Sequence, residues 1–210
     1  MTEKKALLIL KKLKKKYGIR KGFLRHKSVF QLLVAVILSA QCTDVVVNKV
    51  CGELFKKYKT PEDFAGLKQR ELEKIIRPTG FYKNKAKNII KTSRMILKEF
   101  GGRVPGTMKE LISLRGVARK TANIVLTEGF GRAEGIAVDT HVFRVSKRLG
   151  LSRRKTAEKV EEDLMSVYPK KDWRIVSNLF IEHGRKICNA RKPICGVCFL
   201  RKECPSAFKV

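Results

Sequence analysis

Acidic residues are scarce in this chain. Nineteen Asp and Glu face 48 Lys and Arg, which leaves a formal net charge of +29 over 210 residues. An excess of that size repels itself unless something anionic is its partner. Nucleic acid fits best, because neutralising phosphates dominates affinity for nucleic acid. A lysine-rich thermophile surface would normally be balanced by acids, and this one is not. Long apolar runs are lacking too. Within residues 1–17 the longest is Ala6 to Leu10, and Glu3 stands among the lysines. That is too short for the hydrophobic part of an export signal. Leu32 to Leu38 is apolar throughout but far too short to span a bilayer. A soluble intracellular protein with no membrane contact is expected. Alternation of polar and apolar residues is absent as well, so no strands are expected. There is no internal repeat, long linker or low-complexity tract.

What is present has a period near 3.6. Ala6, Leu10, Leu13 and Tyr17 form a helical stripe that Gly18 ends. Ser28-Val-Phe-Gln31 reads as a capping box opening a buried helix to about Ser39. Ala40-Gln41-Cys42 is a short break, and Thr43 can cap the next helix, where Val46, Val47, Val50 and Leu54 share a face. Thr60-Pro61-Glu62-Asp63 starts another helix with proline at its first position. Leu67 to Arg77 is a helix stopped by Pro78-Thr79-Gly80. Ala86 to Phe100 is a long amphipathic helix closed by Gly101-Gly102, and Thr107-Met-Lys-Glu110 is a second capping box. Further helices are expected over about Thr140–Leu149, Thr156–Val167 and Asp172–Ile187. With 43% hydrophobic residues a real core is possible. The fold class is all-α.

The stretch from Leu114 to Val142 concentrates the chemistry. Leu114-Arg115-Gly116-Val117-Ala118-Arg119-Lys120-Thr121-Ala122 links two helices. Gly116 permits a sharp turn through positive φ. Gly116, Val117 and Ala118 are then expected to present backbone N–H groups at a helix N-terminus, which attracts anions. Lys120 sits one residue inside that helix. The helix dipole, with Arg115 and Arg119, is expected to disfavour a further positive charge and so to favour the neutral amine that a nucleophilic lysine needs. The alternative is an ordinary helical corner with a solvated lysine. Asp139, at the start of the next helix, reads as its N-cap.

Six cysteines in an intracellular chain argue for metal or chemistry rather than disulfides. Four of them follow the pattern Cys188-x6-Cys195-x2-Cys198-x5-Cys204, with Pro193, Gly196 and Pro205 shaping the turns. Four soft thiolates suit either a structural zinc ion or a [4Fe–4S] cluster. Ligand type does not choose between them, although a single short-spaced pair mildly favours iron–sulfur. Cys42 and Cys51 stand apart and read as small buried apolar residues.

Together, Leu38-Ser-Ala-Gln-Cys-Thr-Asp44, Leu114 to Ala122, Val138-Asp-Thr-His-Val142 and the cysteine spacing resemble the endonuclease III family of helix-hairpin-helix DNA glycosylases. The resemblance runs from about Ser28 to Cys204. It implies a two-lobed fold: a six-helix barrel over residues 21–134, with the helix-hairpin-helix at about 107–128, and an iron–sulfur lobe joining 1–20 to 135–210. It implies a [4Fe–4S] cluster on Cys188, Cys195, Cys198 and Cys204. It implies a bifunctional glycosylase and abasic-site lyase of base excision repair, acting on oxidised pyrimidines in double-stranded DNA with the target nucleotide flipped out. Lys120 matches the nucleophile and Asp139 the catalytic aspartate. Gln41 matches the residue that fills the gap left by the flipped nucleotide. Arg115, Gly116, Val117, Ala118 and Arg119 are expected to grip the DNA backbone. Arg191 and Lys192 are expected to touch phosphates, with solvated surface charge as the alternative. A monomer acting in a prokaryotic cytoplasm, associated with the nucleoid, is expected. Two positions depart from the family: Arg115 stands where proline is usual, and Ala118 where a second glycine is usual. If Ala118 took positive φ it would cost ~1 kcal/mol.

Three other readings compete. Glycosylases without lyase activity that resemble this chain generally lack the hairpin lysine, so Lys120 argues against that reading. A non-catalytic DNA-binding module would need neither Lys120 nor Asp139. An electron carrier would leave most of the chain, and its charge, without a role.

Overall fold

The computed structural model describes residues 2–19 and 22–209. The expected lobe boundary between residues 20 and 21 falls outside the described residues. Every regular element among the described residues is helical, and none is long and apolar enough to cross a membrane. The chain divides into two compact units, Gly22–Arg132 and Met1–Lys21 with Ala133–Val210.

The first unit is built around α2, Val29–Leu38, whose residues from Phe30 to Leu38 are all buried. A helix with no charged side chain has no face to give to water, so its neighbours must surround it. They are α3 (Asp44–Lys57), α6 (Tyr82–Phe100) and α8 (Arg119–Ile124), the last running on as a π-helical turn over Val125–Gly129. The short helices α4 (Pro61–Ala65), α5 (Gln69–Ile76) and α7 (Met108–Ser113) complete the unit. Phe64, Leu33, Leu38, Leu54, Leu72, Ile76 and Ile89 are fully enclosed. Each such side chain contributes roughly 1.5–3 kcal/mol relative to exposure.

The helix ends differ from expectation in instructive ways. Ser28 caps α2 by accepting from Gln31 N–H at 3.2 Å, but the Gln31 carbonyl oxygen reaches back to Lys27 N–H rather than to Ser28. This satisfies a buried glutamine one residue outside the box. At Thr107 the Glu110 carboxylate accepts from the threonine hydroxyl at 2.6 Å instead of from the backbone. The fully reciprocal box lies at Thr60, where Asp63 Oδ2 accepts from Lys59 and Thr60 N–H at 2.7 and 3.0 Å. Those two amides hold the Asp63 carboxyl below its ordinary value. The α5 helix is shorter than the expected Leu67–Arg77, because Arg77–Thr79 tightens into a 3₁₀ turn around Pro78.

The second unit packs α1 (Glu3–Tyr17) with α9 (Thr140–Arg148), α10 (Ala157–Val167) and α11 (Trp173–Lys186). Ala6, Ile9, Leu10 and Leu13 of α1 share a core with Val142, Val145, Leu164, Val176 and Phe180. The α1 lysines lie on its other faces. The C-terminal tail adds a 3₁₀ turn over Cys195–Val197.

Candidate active site and nucleic-acid interface

The hairpin between α7 and α8 is pinned from beneath. Leu114 and Val117 are buried, and Val117 N–H donates to Leu114 C=O at 3.2 Å to close the turn. Gly116 has φ +79°, and a Cβ there would lie 2.8 Å from Asn88 Nδ2. Thr92 of α6 donates its hydroxyl to Arg115 C=O at 2.7 Å. One expectation changes. The Val117 amide is committed within the turn, so it is not presented to a ligand. The Gly116 and Ala118 amides have no acceptor among the described residues. Ala118 sits at φ −91°, ψ 170°, an extended N-cap. The alanine therefore carries no left-handed strain where the family usually has glycine. Arg115, Gly116, Ala118, Arg119 and Lys120 are all exposed, and Lys120 occupies the second position of α8.

Asp139, in the other unit, is the N-cap of α9. Its Oδ1 accepts from His141 and Val142 N–H, both at 2.8 Å, and the residue is half-buried. The neighbouring His141 places Nδ1 3.1 Å from Arg144 Nη2. Burial lowers its pKa, against a pull upward from Asp139. Arg144 also donates to Gly184 C=O at 2.9 Å and to Cys188 C=O at 3.0 Å. A continuous polar chain thus links the α9 cap to the first residue of the cysteine cluster.

Gln41 is exposed and has φ +51°. A non-glycine residue held there costs about 1–2 kcal/mol and marks a functional position more often than chance would. Phe81 shows the same combination, with φ +47° and 66% exposure. Nothing in the sequence singles out Phe81, because phenylalanine has no preference for left-handed backbone. Lys85, buried at 5% exposure, donates to Leu38 C=O and Thr79 C=O, both at 2.8 Å. Among the lysines of α6 nothing in the sequence distinguishes it.

Cys188, Cys195, Cys198 and Cys204 are all free and half-buried, and all four line one pocket together with Arg148, His183 and Arg201. They surround the pocket rather than converging on a point that would hold a single ion, among the described residues. Arg148 Nη1 donates to Cys188 Sγ at 3.4 Å and to Asn189 C=O at 2.7 Å. His183 Nε2 lies 3.7 Å from Cys198 Sγ, and its Nδ1 lies 3.0 Å from Tyr17 Oη. Burial holds the His183 pKa down to about 4, so it is the neutral imidazole that faces the sulfur. Burial, then repulsion from the neighbouring thiolates, holds the Cys198 and Cys204 thiols above their ordinary value. As thiolates, the four sulfurs in this space would need a positive group among them. The donor set therefore fits a metal centre. Arg191 and Lys192, in the first cysteine loop, are exposed. Away from the cluster, Cys51 is buried and its thiol is pushed up to about 12, as a small core residue should be. Cys42 is only partly buried.

A family model described as HhH-GPD superfamily base excision DNA repair protein matches residues 34–170. A Synechocystis protein named endonuclease III is 51% identical over 96% of this chain and 90% of its own length. The chain belongs to the endonuclease III family. A Bacillus subtilis endonuclease III is 50% identical over 88% of this chain and 84% of that one. Among solved structures, that of a trapped endonuclease III–DNA covalent intermediate aligns over 100% of this chain and 98% of the other, at 44% identity and a TM-score of 0.95. The all-α architecture agrees with that family, and the rival readings as a binding module or electron carrier lose their footing.

Proposed function

We propose that this protein is a bifunctional DNA glycosylase and abasic-site lyase of base excision repair, removing oxidised pyrimidines from duplex DNA. One observation carries the reading: a hairpin pinned at Gly116 presents Lys120, exposed, in a chain 51% identical to an endonuclease III. The activity itself is that of the family, and its assignment to particular residues is our own.

Lys120 is the nucleophile. Its neutral amine attacks C1′ of the damaged nucleotide, the base leaves with a proton, and the sugar opens to a Schiff base on Nζ. Loss of a C2′ proton then breaks the C3′–O bond and cuts the strand 3′ to the site. Asp139 supplies the opposing charge. Two backbone amides fix Oδ1, while Oδ2 accepts no hydrogen bond among the described residues. A carboxylate with one oxygen fixed suits stabilisation of the oxocarbenium-like sugar without reorganising, and our reading also gives it the proton of Lys120.

The DNA backbone meets the Gly116 and Ala118 amides and the Arg115 and Arg119 side chains, with Arg191 and Lys192 touching phosphates from the cysteine loop. Val117 serves as the buried anchor of the turn. Gln41 fills the space left by the flipped nucleotide. Phe81, an exposed ring on a strained backbone, offers a face for an unstacked base. Cys188, Cys195, Cys198 and Cys204 hold a [4Fe–4S] cluster; when bound it supplies the positive core that keeps four thiolates together and cross-links the tail. Arg148 and His183 orient Cys188 and Cys198 from outside. On this reading residues 21–134 form the barrel domain, and 1–20 with 135–210 the cluster domain. The protein works as a monomer on damaged or abasic duplex DNA, at the nucleoid in a prokaryotic cytoplasm.

Incubation with a duplex bearing one oxidised pyrimidine tests the reading. Strand nicking with base release is expected. Base release alone would make the protein a glycosylase without lyase activity, and binding alone would make it a non-catalytic module.

A further inference from the structure

The α6 helix begins after Phe81 and carries Lys85, Asn88 and Thr92 at spacings of four, three and four residues. That spacing puts them on one face. The face reaches three exposed elements of the same unit. Thr92 holds Arg115 C=O, and Asn88 fills the space beside Gly116. Lys85 holds the last carbonyl of α2, at Leu38, three residues before Gln41. It also holds the carbonyl of Thr79, two residues before Phe81. Gln41 and Phe81 are both exposed and both left-handed.

A buried ammonium is expensive to keep unless its donors are satisfied. Among the described residues Lys85 is paired with the last carbonyl of α2 and with a carbonyl of the 3₁₀ turn that precedes Phe81. An apolar side chain would serve the surrounding core at least as well. The lysine is therefore best accounted for by what it holds. A strained φ persists only where the surroundings over-determine it, and here one side chain restrains the approach to both strained residues.

We propose that Lys85 is a positioning residue whose ammonium clamps the Gln41 and Phe81 loops to each other, so that the two side chains enter a duplex as a pair of fixed separation. The proposal rests on the reading of Gln41 as the residue that fills the flipped nucleotide's place. Lys85 touches no substrate; it sets where the residues that do so stand.

The test uses the full-length, cluster-loaded protein, a duplex bearing thymine glycol opposite adenine, and the same duplex with a pre-formed abasic site. Single-turnover rates are compared for wild type, Gln41→Ala, Lys85→Met and the double variant, each with its melting temperature. Both single variants should lose about tenfold on the paired lesion and clearly less on the abasic site, where extrusion costs less. The double variant should lose clearly less than the product of the two single losses, because the part of the Lys85 effect that runs through Gln41 is already gone. Losses that multiply overturn the clamp, since Lys85 would then act elsewhere. A deficient Gln41→Ala beside a normal Lys85→Met also overturns it. An unchanged Gln41→Ala overturns the gap-filling reading, and the clamp falls with it. Should Lys85→Met melt well below wild type, Lys85→Gln answers instead. Its shorter amide can reach one carbonyl but not both. Its lesion-to-abasic rate ratio should fall below that of wild type, and a wild-type ratio overturns the proposal.

Discussion

Lys120 and Asp139 are held in opposite ways. The Lys120 side chain is exposed and makes no hydrogen bond among the described residues; what is fixed is the backbone that delivers it, through Val117 to Leu114, Thr92 to Arg115 and the close fit of Gly116 on Asn88. Asp139 is the reverse. Its carboxylate is itself gripped, with one oxygen bonded to two amides at 2.8 Å. The difference matches the roles we propose for each. A nucleophile has to travel onto carbon, become an iminium and leave again. A charge that stabilises a cationic sugar works best when it does not move.

The contrast can be broken most severely at Asp139. Asp139→Asn keeps the shape and most of the cap but removes the charge, and should slow base release by about 10²-fold or more. The loss on a pre-formed abasic site should be smaller, since no base has to leave. A variant that melts early yet releases base at the wild-type rate would make the aspartate only a cap.

Next comes the cluster. Purified without air, the protein should carry roughly four irons per chain. Cys198→Ser should lower that content and the melting temperature together, because metal binding is coupled to folding. Stoichiometric zinc without iron in protein from its native source would contradict the assignment.

The delivery of Lys120 is a subtler target. Gly116→Ala places a methyl against Asn88 and an alanine at φ +79°, at about 1–2 kcal/mol. Thr92→Val removes one hydrogen bond to the hairpin, worth about 1 kcal/mol. Both should weaken DNA binding more than they change the trapped fraction at saturating DNA. The smallest expected effect is that of any single surface cation. With 48 Lys and Arg, binding to undamaged duplex should fall steeply with salt, and removal of one lysine should shift that slope by about one counterion or less.

The sequence makes much of this legible, for identifiable reasons. The α2 helix carries no charge and is apolar all round from Leu32 to Leu38, so it could only be central. Asp139 caps because its side chain bonds the amides two and three residues on, a purely local event. The four thiols sit close together in the chain and so are bound to meet. Lys85 was invisible, because its role is set by carbonyls 47 residues before it and 6 residues before it, while its neighbours in α6 are exposed lysines of the same type. Phe81 was invisible because strain is a property of backbone angles, not of residue identity. His183 reads as one polar residue in the last turns of α11; only packing brings it between Tyr17 and Cys198. The expected N–H presentation by Val117 failed for the converse reason. A turn tight enough to need Gly116 uses the next amide to close itself.

The most direct test of the central claim is borohydride trapping on a duplex carrying one oxidised pyrimidine. Wild-type protein should give a covalent protein–DNA adduct. Lys120→Gln should give none while still binding DNA, because one cation among 48 matters little to the phosphate contribution. An adduct that forms through Lys120→Gln at the wild-type rate would place the nucleophile elsewhere and contradict the account.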